Sequence, residues 1–438
     1  MSFYGKWKVV TKTPMGNTEA IWDVFEENGA PKATIFADDA LTDFDSVVID
    51  GDSFIMDVKL KSIIGKMKFH MEGTVDGDTL SGTAKMKMGS SPFEGERITD
   101  EAAKAMEEEK AAPAEETAAE EPAGPKRILG ISCGRPFGNS ELLLREALMG
   151  AEEAGAEVEM VRLNEFDIKP CTGCTACMAK LGKGQENLCV QKDDFPVLRD
   201  RILWSDAVII SAPIYLIRPI ASLLVVTDRI GPWHDVASFE QMGLNKPGSP
   251  IDQRLFKQRC AGFISVGGAI RPQYASMGLT LMNDFTYPMH IKVVDQIMVL
   301  NSNSSGQAIY HDEKVARVHQ LGINVTENAC KPEEEMKWCG DFDGTCPVCH
   351  GNLMTIDNGD ETITCAICGI KGSVTVEDGK IHVDFADDEL IHSRLTKEEC
   401  WIHMQEIMQS FEEFGEIAEE VKAKEQKYRD YQVKIVKP

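Results

Sequence analysis

The chain has 438 residues, of which 43% are hydrophobic, and a formal net charge of −25 at pH 7. The length predicts about two to four domains, and the acidic balance argues against nucleic-acid binding. No stretch is apolar enough to span a bilayer and the N-terminal segment lacks an apolar signal core, so we expect a cytoplasmic protein without a membrane partner. The thirteen cysteines should then be reduced, and their Cys-x-x-Cys pairs indicate metal ligation rather than disulfides.

Residues 1–98 predict a small all-β domain. About seven short segments of alternating hydrophobicity are separated by turn signals such as Asn28-Gly29, Asp50-Gly51 and Asp76-Gly77. These signals predict tight hairpins between antiparallel strands, in a small barrel or a curled meander. This pattern of short strands and turns loosely resembles lipocalin-like barrels. His70 is interpreted as a structural residue rather than a ligand.

Residues 99–125 consist mainly of Ala, Glu and Pro. Such a segment buries too little apolar surface to offset its ordering entropy, so we expect an extended, mobile linker. A domain boundary is therefore predicted here.

Residues 126–330 alternate between strand and helix patterns. The predicted strands include KRILGISC, EVEMVRL, DAVIISAP, RCAGFISVGG and HIKVVDQIMV, and the first is followed by the amphipathic helix ELLLREALMGAEEAG. This alternation predicts a doubly wound parallel sheet with a ligand at the carboxyl ends of its strands.

Three loops at these strand ends predict a flavin site. The loop after the first strand opens a helix, whose N-terminal amides suit a phosphate, and it lacks both the dinucleotide and the P-loop fingerprints. A mononucleotide, FMN, is therefore favoured. The other two loops would contact the flavin ring, by stacking on Tyr215 and by hydrogen bonds from glycine amides. The candidate cofactor-binding residues are Ser132, Gly134, Arg135, Asn139, Ser140, Pro213, Ile214, Tyr215, Gly267 and Gly268.

A cysteine-rich segment lies between the second predicted strand and the next helix. Cys171, Cys174 and Cys177 are spaced three residues apart, and Cys189 follows after eleven intervening residues. Three thiolates at this spacing, with a fourth from further on, are typical of iron–sulfur ligation. A purely structural thiol cluster, or a loop that binds nothing, remains the alternative.

The segments ISCGRPFGNSELL, IKPCTGCTACM with CVQKDDF, SDAVIISAPIYL with TDRIG, and FISVGG with IKVVD carry a family resemblance. Residues 126 to about 328 resemble the iron–sulfur flavoproteins of the NADPH-dependent FMN reductase superfamily. The resemblance implies a flavodoxin-like fold, FMN, a [4Fe–4S] cluster on the four cysteines, and a homo-oligomer in which the cluster and flavin of neighbouring subunits approach. Family members usually have fewer residues before the last cysteine, so the role of Cys189 as fourth ligand stays open.

Two Cys-x-x-Cys pairs, Cys346 with Cys349 and Cys365 with Cys368, mark a metal ribbon within residues 331–395. Four thiolates in this arrangement predict a zinc ribbon, with a rubredoxin-like iron site as the alternative. Residues 396–438 predict a long helix and a tail. A stripe on this helix is interpreted as docking against the rest of the chain, with a subunit contact as the alternative; it comprises Trp401, Met404, Met408, Phe411 and Phe414.

These features together predict an FMN- and iron–sulfur-dependent oxidoreductase that takes electrons from NAD(P)H or a ferredoxin-like donor and forms a dimer or tetramer. No side chain is assigned a catalytic role. Candidate substrate-facing groups, each more often structural, are Tyr215, Arg218, His234 and Tyr274. The competing hypothesis is an electron carrier between a ferredoxin-like donor and a partner enzyme, without a small-molecule substrate.

Overall fold

The chain forms two compact units, Met1–Glu116 together with Ile402–Pro438, and Thr117–Trp401. The computed structural model describes residues 3–13, 16–37, 40–62, 65–86, 89–111, 124–181, 183–231, 234–356, 359, 362–433 and 436. The cysteine-rich segment, the predicted flavin loops and the ribbon all belong to the second unit.

The first unit contains an antiparallel sheet of nine strands in the order β4-β3-β2-β1-β9-β8-β7-β6-β5. Aromatic side chains fill its core, including Trp7, Trp22, Phe54 and Phe93. The predicted antiparallel hairpins are confirmed, whereas closure into a lipocalin-like barrel stays a prediction. The strands are β1 Gly5–Thr13, β2 Gly16–Glu27, β3 Ala30–Ala37, β4 Ala40–Asp43, β5 Ser46–Asp50, β6 Ser53–Ser62, β7 Gly65–Asp76, β8 Thr79–Met86 and β9 Gly89–Ile98.

The sheet is followed by helix α1, Asp100–Ala111. The prediction of an extended segment is therefore wrong for these residues. Alanine and glutamate are strong helix formers, and acidic residues in the first turn favour the helix dipole, so local propensity suffices to explain the difference. Residues 112–123 of the predicted linker lie outside the described part of the chain.

The second unit is built on a parallel sheet in the order β11-β10-β12-β14-β15, as predicted for the α/β core. Strand β11 lies on one side of β10, whereas β12 and the later strands lie on the other side, so the strand order reverses between β10 and β12. Doubly wound sheets bind their ligands at such a switch point. The short strand β13 pairs antiparallel with the end of β12. The strands are β10 Arg127–Ser132, β11 Glu157–Arg162, β12 Ala207–Tyr215, β13 Arg218–Pro219, β14 Cys260–Val266 and β15 Lys292–Val299.

Helices cover both faces of this sheet. On one face α2 packs against α8, and a Cβ at Gly150 or Gly322 would collide with the backbone of the facing helix at His319 or Ala147. Glycine therefore sets the close spacing of these two helices. The helices are α2 Asn139–Glu153, α3 Ala176–Leu181, α4 Phe195–Trp204, α5 Ala221–Ile230, α6 Val236–Gln241, α7 Gly278–Asn283 and α8 Asp312–Asn328.

The C-terminal part has a four-stranded antiparallel sheet and one long helix. In this helix, α9, Phe411 and Phe414 are 70% and 50% exposed, so the predicted docking of the stripe against the rest of the chain is wrong for these residues. No helix of the described residues is both long and apolar enough to cross a membrane. The elements are β16 Met354–Ile356, β17 Thr362–Cys365, β18 Lys371–Glu377, β19 Lys380–Asp384 and α9 Lys397–Asp430.

Candidate functional site

The three predicted flavin loops meet at the carboxyl edge of the parallel sheet. A Cβ built on Gly134 would lie 3.9 Å from Cδ of Pro213, and one built on Gly267 would lie 3.4 Å from Cδ1 of Ile214. The end of β12 therefore lies between the loop after β10 and the loop after β14. This is the switch point of the sheet, where a ligand of a doubly wound fold binds.

The loop after β10 is fixed by a buried carboxylate. Glu141, in the first turn of α2, is fully buried and pairs with Arg162 at 2.9 Å and with Arg145 at 3.0 Å. The hydrogen bond from Arg162 lowers the pKa of Glu141, and the backbone of Phe137 donates a further hydrogen bond to it. Phe137 has a φ of 53°, so this carboxylate holds the loop in an uncommon conformation just before the helix begins. Sequence reasoning missed Glu141, because nothing in NSELL shows that its third residue is buried.

The start of α2 offers backbone donors to an anion. The first amide groups of a helix have no intrahelical acceptor, and the helix dipole favours negative charge at this end. A Cβ at Gly134 would lie only 3.2 Å from Cβ of Ser140, so the loop packs closely on the helix start because residue 134 is glycine. The buried hydroxyl of Ser132 has no hydrogen-bond partner among the described residues. These features fit a phosphate group.

Two predicted contacts of this site differ in the structure. The side-chain amide of Asn139 donates to the carbonyls of Ser302 at 2.7 Å and Ser304 at 2.8 Å, so it ties α2 to the loop after β15. The amide of Gly267 donates to the carbonyl of Val299 at 2.9 Å, so the expectation that it hydrogen-bonds a flavin carbonyl is wrong. Both partners are distant in sequence, which is why sequence reasoning did not find them.

The end of β12 forms a strained hairpin with β13, in which Tyr215 pairs with Arg218. The two turn residues, Leu216 and Ile217, have φ angles of 50° and 66°. Positive φ at a β-branched residue is an outlier that costs roughly 1–3 kcal/mol. Tyr215 is 61% exposed and Leu216 is 87% exposed, so the strained hairpin presents apolar groups to solvent beside the predicted flavin loops.

The other candidate substrate-facing residues lie in different surroundings. Tyr274 is half exposed and its hydroxyl accepts a hydrogen bond from Arg271 at 3.0 Å, in the segment that leads to α7. His234 is buried, and its Nε2 accepts a hydrogen bond from Nε of Arg199 at 3.0 Å. Burial lowers the pKa of His234 to about 3, so the ring is neutral. His234 is therefore a structural residue.

The cysteine-rich segment is a loop whose two arms are joined at its base. The amide of Asp167 donates to the carboxylate of Asp194 at 2.8 Å, and the amide of Asp194 donates back to the carbonyl of Asp167 at 3.0 Å. Further along, Nε2 of Gln191 donates to the carbonyl of Pro170 at 2.9 Å. These bonds bring the residues next to Cys171 and Cys189 together despite the intervening chain.

Arg229, in α5, binds both arms at the base of this loop. Its guanidinium donates to the carbonyl of Lys169 at 2.7 Å and to both carboxylate oxygens of Asp193. Both side chains of the ion pair are almost fully buried. Burial raises the pKa of Asp193, but the hydrogen bonds from Arg229 and the backbone outweigh it, so the net pKa is lowered and the carboxylate stays charged. Sequence reasoning missed Arg229, since its partners lie 36 and 60 residues away.

The four cysteines of the loop differ in exposure. Cys171 and Cys174 are exposed, whereas Cys177 and Cys189 are half-buried and pack against the core. Burial raises the pKa of Cys177, and the nearby thiols of Cys189 and Cys171 raise it further. The amide of Gly173 donates to Sγ of Cys171 at 3.4 Å. Cys177 therefore has both Cys171 and Cys189 as neighbours, and backbone amides point at the sulfurs.

The ribbon cysteines form a tighter group. Within the described residues, one group of potential metal ligands has all its ligand atoms within 4.8 Å of one another. Its members are Cys346, Cys349, Cys365 and Cys368. All four are buried, with Sγ–Sγ distances of 3.3 Å for Cys346 with Cys368 and 3.4 Å for Cys349 with Cys365. Four thiolates around one tetrahedral ion would lie about 3.8 Å apart. The donor set and its spacing fit a single metal ion.

The two ribbon pairs share one backbone geometry. The amide of Cys346 donates to the carbonyl of Gly351 at 3.0 Å, and the amide of Cys365 donates to the carbonyl of Ile370 at 2.9 Å. The residue after the second cysteine of each pair, His350 and Gly369, has positive φ. This repeated turn aims each pair of thiols at the same point.

Comparison with known proteins gives three findings. The model of the NADPH-dependent FMN reductase family matches residues 126–305. A flavone synthase from Aspergillus candidus is 32% identical over 272 residues, which are 60% of this chain and 82% of that protein. An iron–sulfur flavoprotein from Archaeoglobus fulgidus is 38% identical over 99 residues, which are 23% of this chain and only 42% of that protein.

Among solved structures, a flavone reductase aligns with a TM-score of 0.60 at 29% identity. The alignment covers 71% of this chain and 100% of that chain, so the similarity extends well beyond residues 126–305.

The ion pair at the base of the cysteine loop generates a stability prediction. We expect Arg229→Leu or Asp193→Asn to lower the free energy of unfolding by about 3–5 kcal/mol, because each leaves a buried group without its partner. The double variant should lose less than the sum of the two. Urea denaturation at pH 7 measures the change.

The control is Arg254→Leu, which removes the partly exposed pairs of Arg254 with Asp252 and with Asp200 and should cost less than about 1 kcal/mol for each pair. Equal midpoints for this control and for Arg229→Leu would contradict the assigned role of the buried pair.

Proposed function

Because the chain belongs to the NADPH-dependent FMN reductase family, we propose that this FMN-dependent oxidoreductase couples two-electron chemistry at the flavin to one-electron transfer through a [4Fe–4S] cluster. FMN takes up two electrons together and releases them singly, whereas such a cluster carries one at a time. The observation that carries the proposal is the joined base of the cysteine loop, which directly follows β11 at the flavin edge of the sheet.

We assign the FMN phosphate to the loop after β10 and the start of α2. The candidate donors there are Ser132, with its unpartnered buried hydroxyl, and the backbone around Gly134, Arg135 and Ser140. Asn139 contributes by holding the helix start against the loop after β15. Pro213, Ile214 and Tyr215 and the backbone of Gly268 would border the ring, while Gly267 shapes the space.

We assign the cluster to Cys171, Cys174, Cys177 and Cys189. Eleven residues separate Cys177 from Cys189, and the first of them belong to helix α3, which shortens the span. Nζ of Lys180 donates to the carbonyl of Leu188 at 2.9 Å and so holds the returning arm close to α3. Ligands of a cluster bind different irons, so their sulfurs lie farther apart than around a single ion. The looser spacing of these four thiols relative to the ribbon cysteines agrees with that requirement.

We propose a flat aromatic ketone of the flavone class as the organic substrate, with NAD(P)H or a ferredoxin-like protein as electron donor. Two relatives are named for flavone chemistry. The exposed side chains of Tyr215, Leu216 and Ile217 offer an apolar surface beside the flavin loops, which suits a planar apolar ligand. Their strained backbone supports a functional rather than a structural role.

We propose that the ribbon cysteines hold zinc with a structural role. The site is closed by four buried thiols, as structural zinc sites are, and it leaves no open ligand position. The segment after the ribbon docks on the same unit, since His290 Nδ1 donates to the carbonyl of Leu395 at 3.1 Å and Lys397 pairs with Glu240 at 2.7 Å. Metal binding would therefore stabilise this unit.

The cluster assignment predicts the electron capacity of the protein. After anaerobic reconstitution, the wild type should take up about three electron equivalents per chain, two at FMN and one at the cluster. Cys189→Ser should take up about two and lose the electron paramagnetic resonance signal of the reduced cluster, whereas the control Cys339→Ser should behave like wild type.

An unchanged four-iron signal in Cys189→Ser would remove Cys189 from the ligand set. A reconstituted wild type that contains FMN but no iron would reject the cluster and leave a simple flavin reductase.

The substrate assignment predicts an effect of the hairpin tip. Leu216→Asn keeps a residue that tolerates positive φ and should raise the KM for flavone about tenfold, because an apolar contact is lost. Leu41→Asn, at a leucine of the first unit that is also mostly exposed (68%), is the matched control and should leave KM unchanged. Product formation is followed by chromatography under anaerobic conditions.

A wild type that reduces no flavone but passes electrons to a redox protein would favour the electron-carrier function instead. Flavone turnover with equal KM in both variants would place the substrate elsewhere.

The ribbon assignment predicts a stability effect without a spectral one. Cys346→Ser should lose one equivalent of zinc and lower the thermal unfolding midpoint, because metal-binding energy contributes to folding. The flavin absorption spectrum should not change. A ferric-thiolate absorption band that persists after loss of the cluster would show iron in the ribbon and overturn the zinc assignment.

A further inference from the structure

The long C-terminal helix α9 carries an apolar seam with alternating spacings of four and three residues. This is the heptad spacing of a coiled coil, in which every first and fourth position faces a partner helix. The seam positions are Met404, Ile407, Phe411, Phe414, Ala418, Val421, Glu425 and Tyr428.

Most of this seam is exposed in the single chain. Phe411 is 70%, Phe414 50% and Tyr428 67% exposed. An aromatic side chain carries about 150–250 Å² of surface, so these three alone expose roughly 400 Å² per copy, or about 800 Å² when two copies pair. Ile407 and Val421, each 36% exposed, bring a helix pair close to the ~1,200 Å² of a stable interface.

We infer that the partner of this helix is the same helix of a second copy of the chain, in antiparallel orientation. Residues 402–420 contain six Glu and no Lys or Arg, whereas residues 421–430 contain four basic and two acidic residues. In the antiparallel register that places Phe411 opposite the partner subunit's Val421, the basic residues 421–430 of each helix lie beside residues 402–411 of the other, which contain one Glu and no Lys or Arg. A parallel pair places the two basic segments side by side, with Lys424 beside the partner subunit's Arg429, so like charges repel there. The acidic residues 412–420 lie beside their own copies in either orientation and do not distinguish the two.

Side-chain volumes give the same orientation and its register. When all eight seam positions are paired antiparallel, Phe411 faces the partner subunit's Val421 and Phe414 faces the partner subunit's Ala418. Large side chains then meet small ones, which fills the interface evenly. In a parallel pair each residue faces its own copy, so two phenylalanines meet at 411 and at 414, and two alanines leave a gap at 418.

Glu425 provides a third argument. A parallel pair would bring the two Glu425 carboxylates together in the seam, whereas the antiparallel pair places Glu425 opposite the partner subunit's Ile407. Within its own helix Glu425 pairs with Arg429 at 2.6 Å, so its charge is compensated without a contribution from the partner. The antiparallel pair therefore tolerates this polar seam residue.

The seam is tested on the full-length protein by sedimentation equilibrium. The double variant Phe411→Ser/Phe414→Ser should weaken self-association at least about a hundredfold. The matched control, Ile402→Ser/Gln409→Ser, changes the opposite side of the same helix and should associate as the wild type does. A wild type that stays at the 48.4 kDa mass of one chain at micromolar concentration, or a seam variant with unchanged association, would overturn the inference.

Orientation is tested by charge reversal, which leaves the seam intact. Lys424→Glu should change antiparallel association by less than about threefold, because position 424 then lies opposite the partner subunit's Met408, in a segment with one Glu and no Lys or Arg. In a parallel pair the same change replaces repulsion between Lys424 and the partner subunit's Arg429 with attraction, so clearly stronger association would contradict the antiparallel orientation.

A photocrosslinker at position 411 gives an independent readout. Antiparallel pairing predicts crosslinks to residues 418–424 of the partner, and parallel pairing predicts crosslinks to residues 407–414. Residues 411 and 421 of one helix are about 15 Å apart, so a link between them reports on two chains. Crosslinks confined to 407–414, or none between chains, would refute the antiparallel pair.

Discussion

The buried ion pair of Arg229 and Asp193 is the constraint on which the cysteine loop depends. A buried pair is weak evidence for stability, because desolvation offsets most of the attraction, but removing either partner is costly. Here the pair joins three segments, since Arg229 lies in α5, Asp193 in the returning arm and the bonded carbonyl of Lys169 in the outgoing arm. The base of the loop is fixed while Cys171 and Cys174 at its tip remain exposed. Such a base would orient the loop thiols for the proposed cluster before it binds.

The two cysteine sites show how far ligand spacing alone can be interpreted. In the ribbon, short hairpins bring Cys346 and Cys368 together, so the local sequence contains nearly everything the geometry needs. In the loop, the three close cysteines are also evident from the sequence. The position of Cys189 depends on bonds at the base of the loop and on Lys180, which no spacing rule includes.

The parallel core is predictable because its strands are continuous apolar runs that alternate with a helical pattern, as in a parallel sheet covered on both faces. Helix α8 is not predicted from the sequence, although Val318, Leu321 and Val325 recur at helical spacing on its buried face. From the sequence, Asn139 and Gly267 are assigned as cofactor contacts by their position in a loop or at a strand end, and His234 is named only as a candidate substrate-facing group. The structure uses all three for contacts with residues of the chain itself. The position of a residue at a strand end thus predicts where a site lies. It does not predict whether the polar groups of that residue are available to a ligand.

The net charge of −25 raises the question of how this protein would hold a phosphate and an iron–sulfur cluster, both of which are anionic. Exposed charges more than about 8–10 Å away are largely screened at physiological ionic strength, so the total charge matters little at either site. The charges that act on each site are those of nearby residues. Arg145 and Arg162 neutralise Glu141 at the loop after β10. Burial lowers the pKa of Arg229, but Asp193 and, more weakly, the nearby Cys189 and Cys171 raise it, so its net pKa is raised. Local arginines and backbone amides at the two sites can therefore favour anions on a surface that repels them.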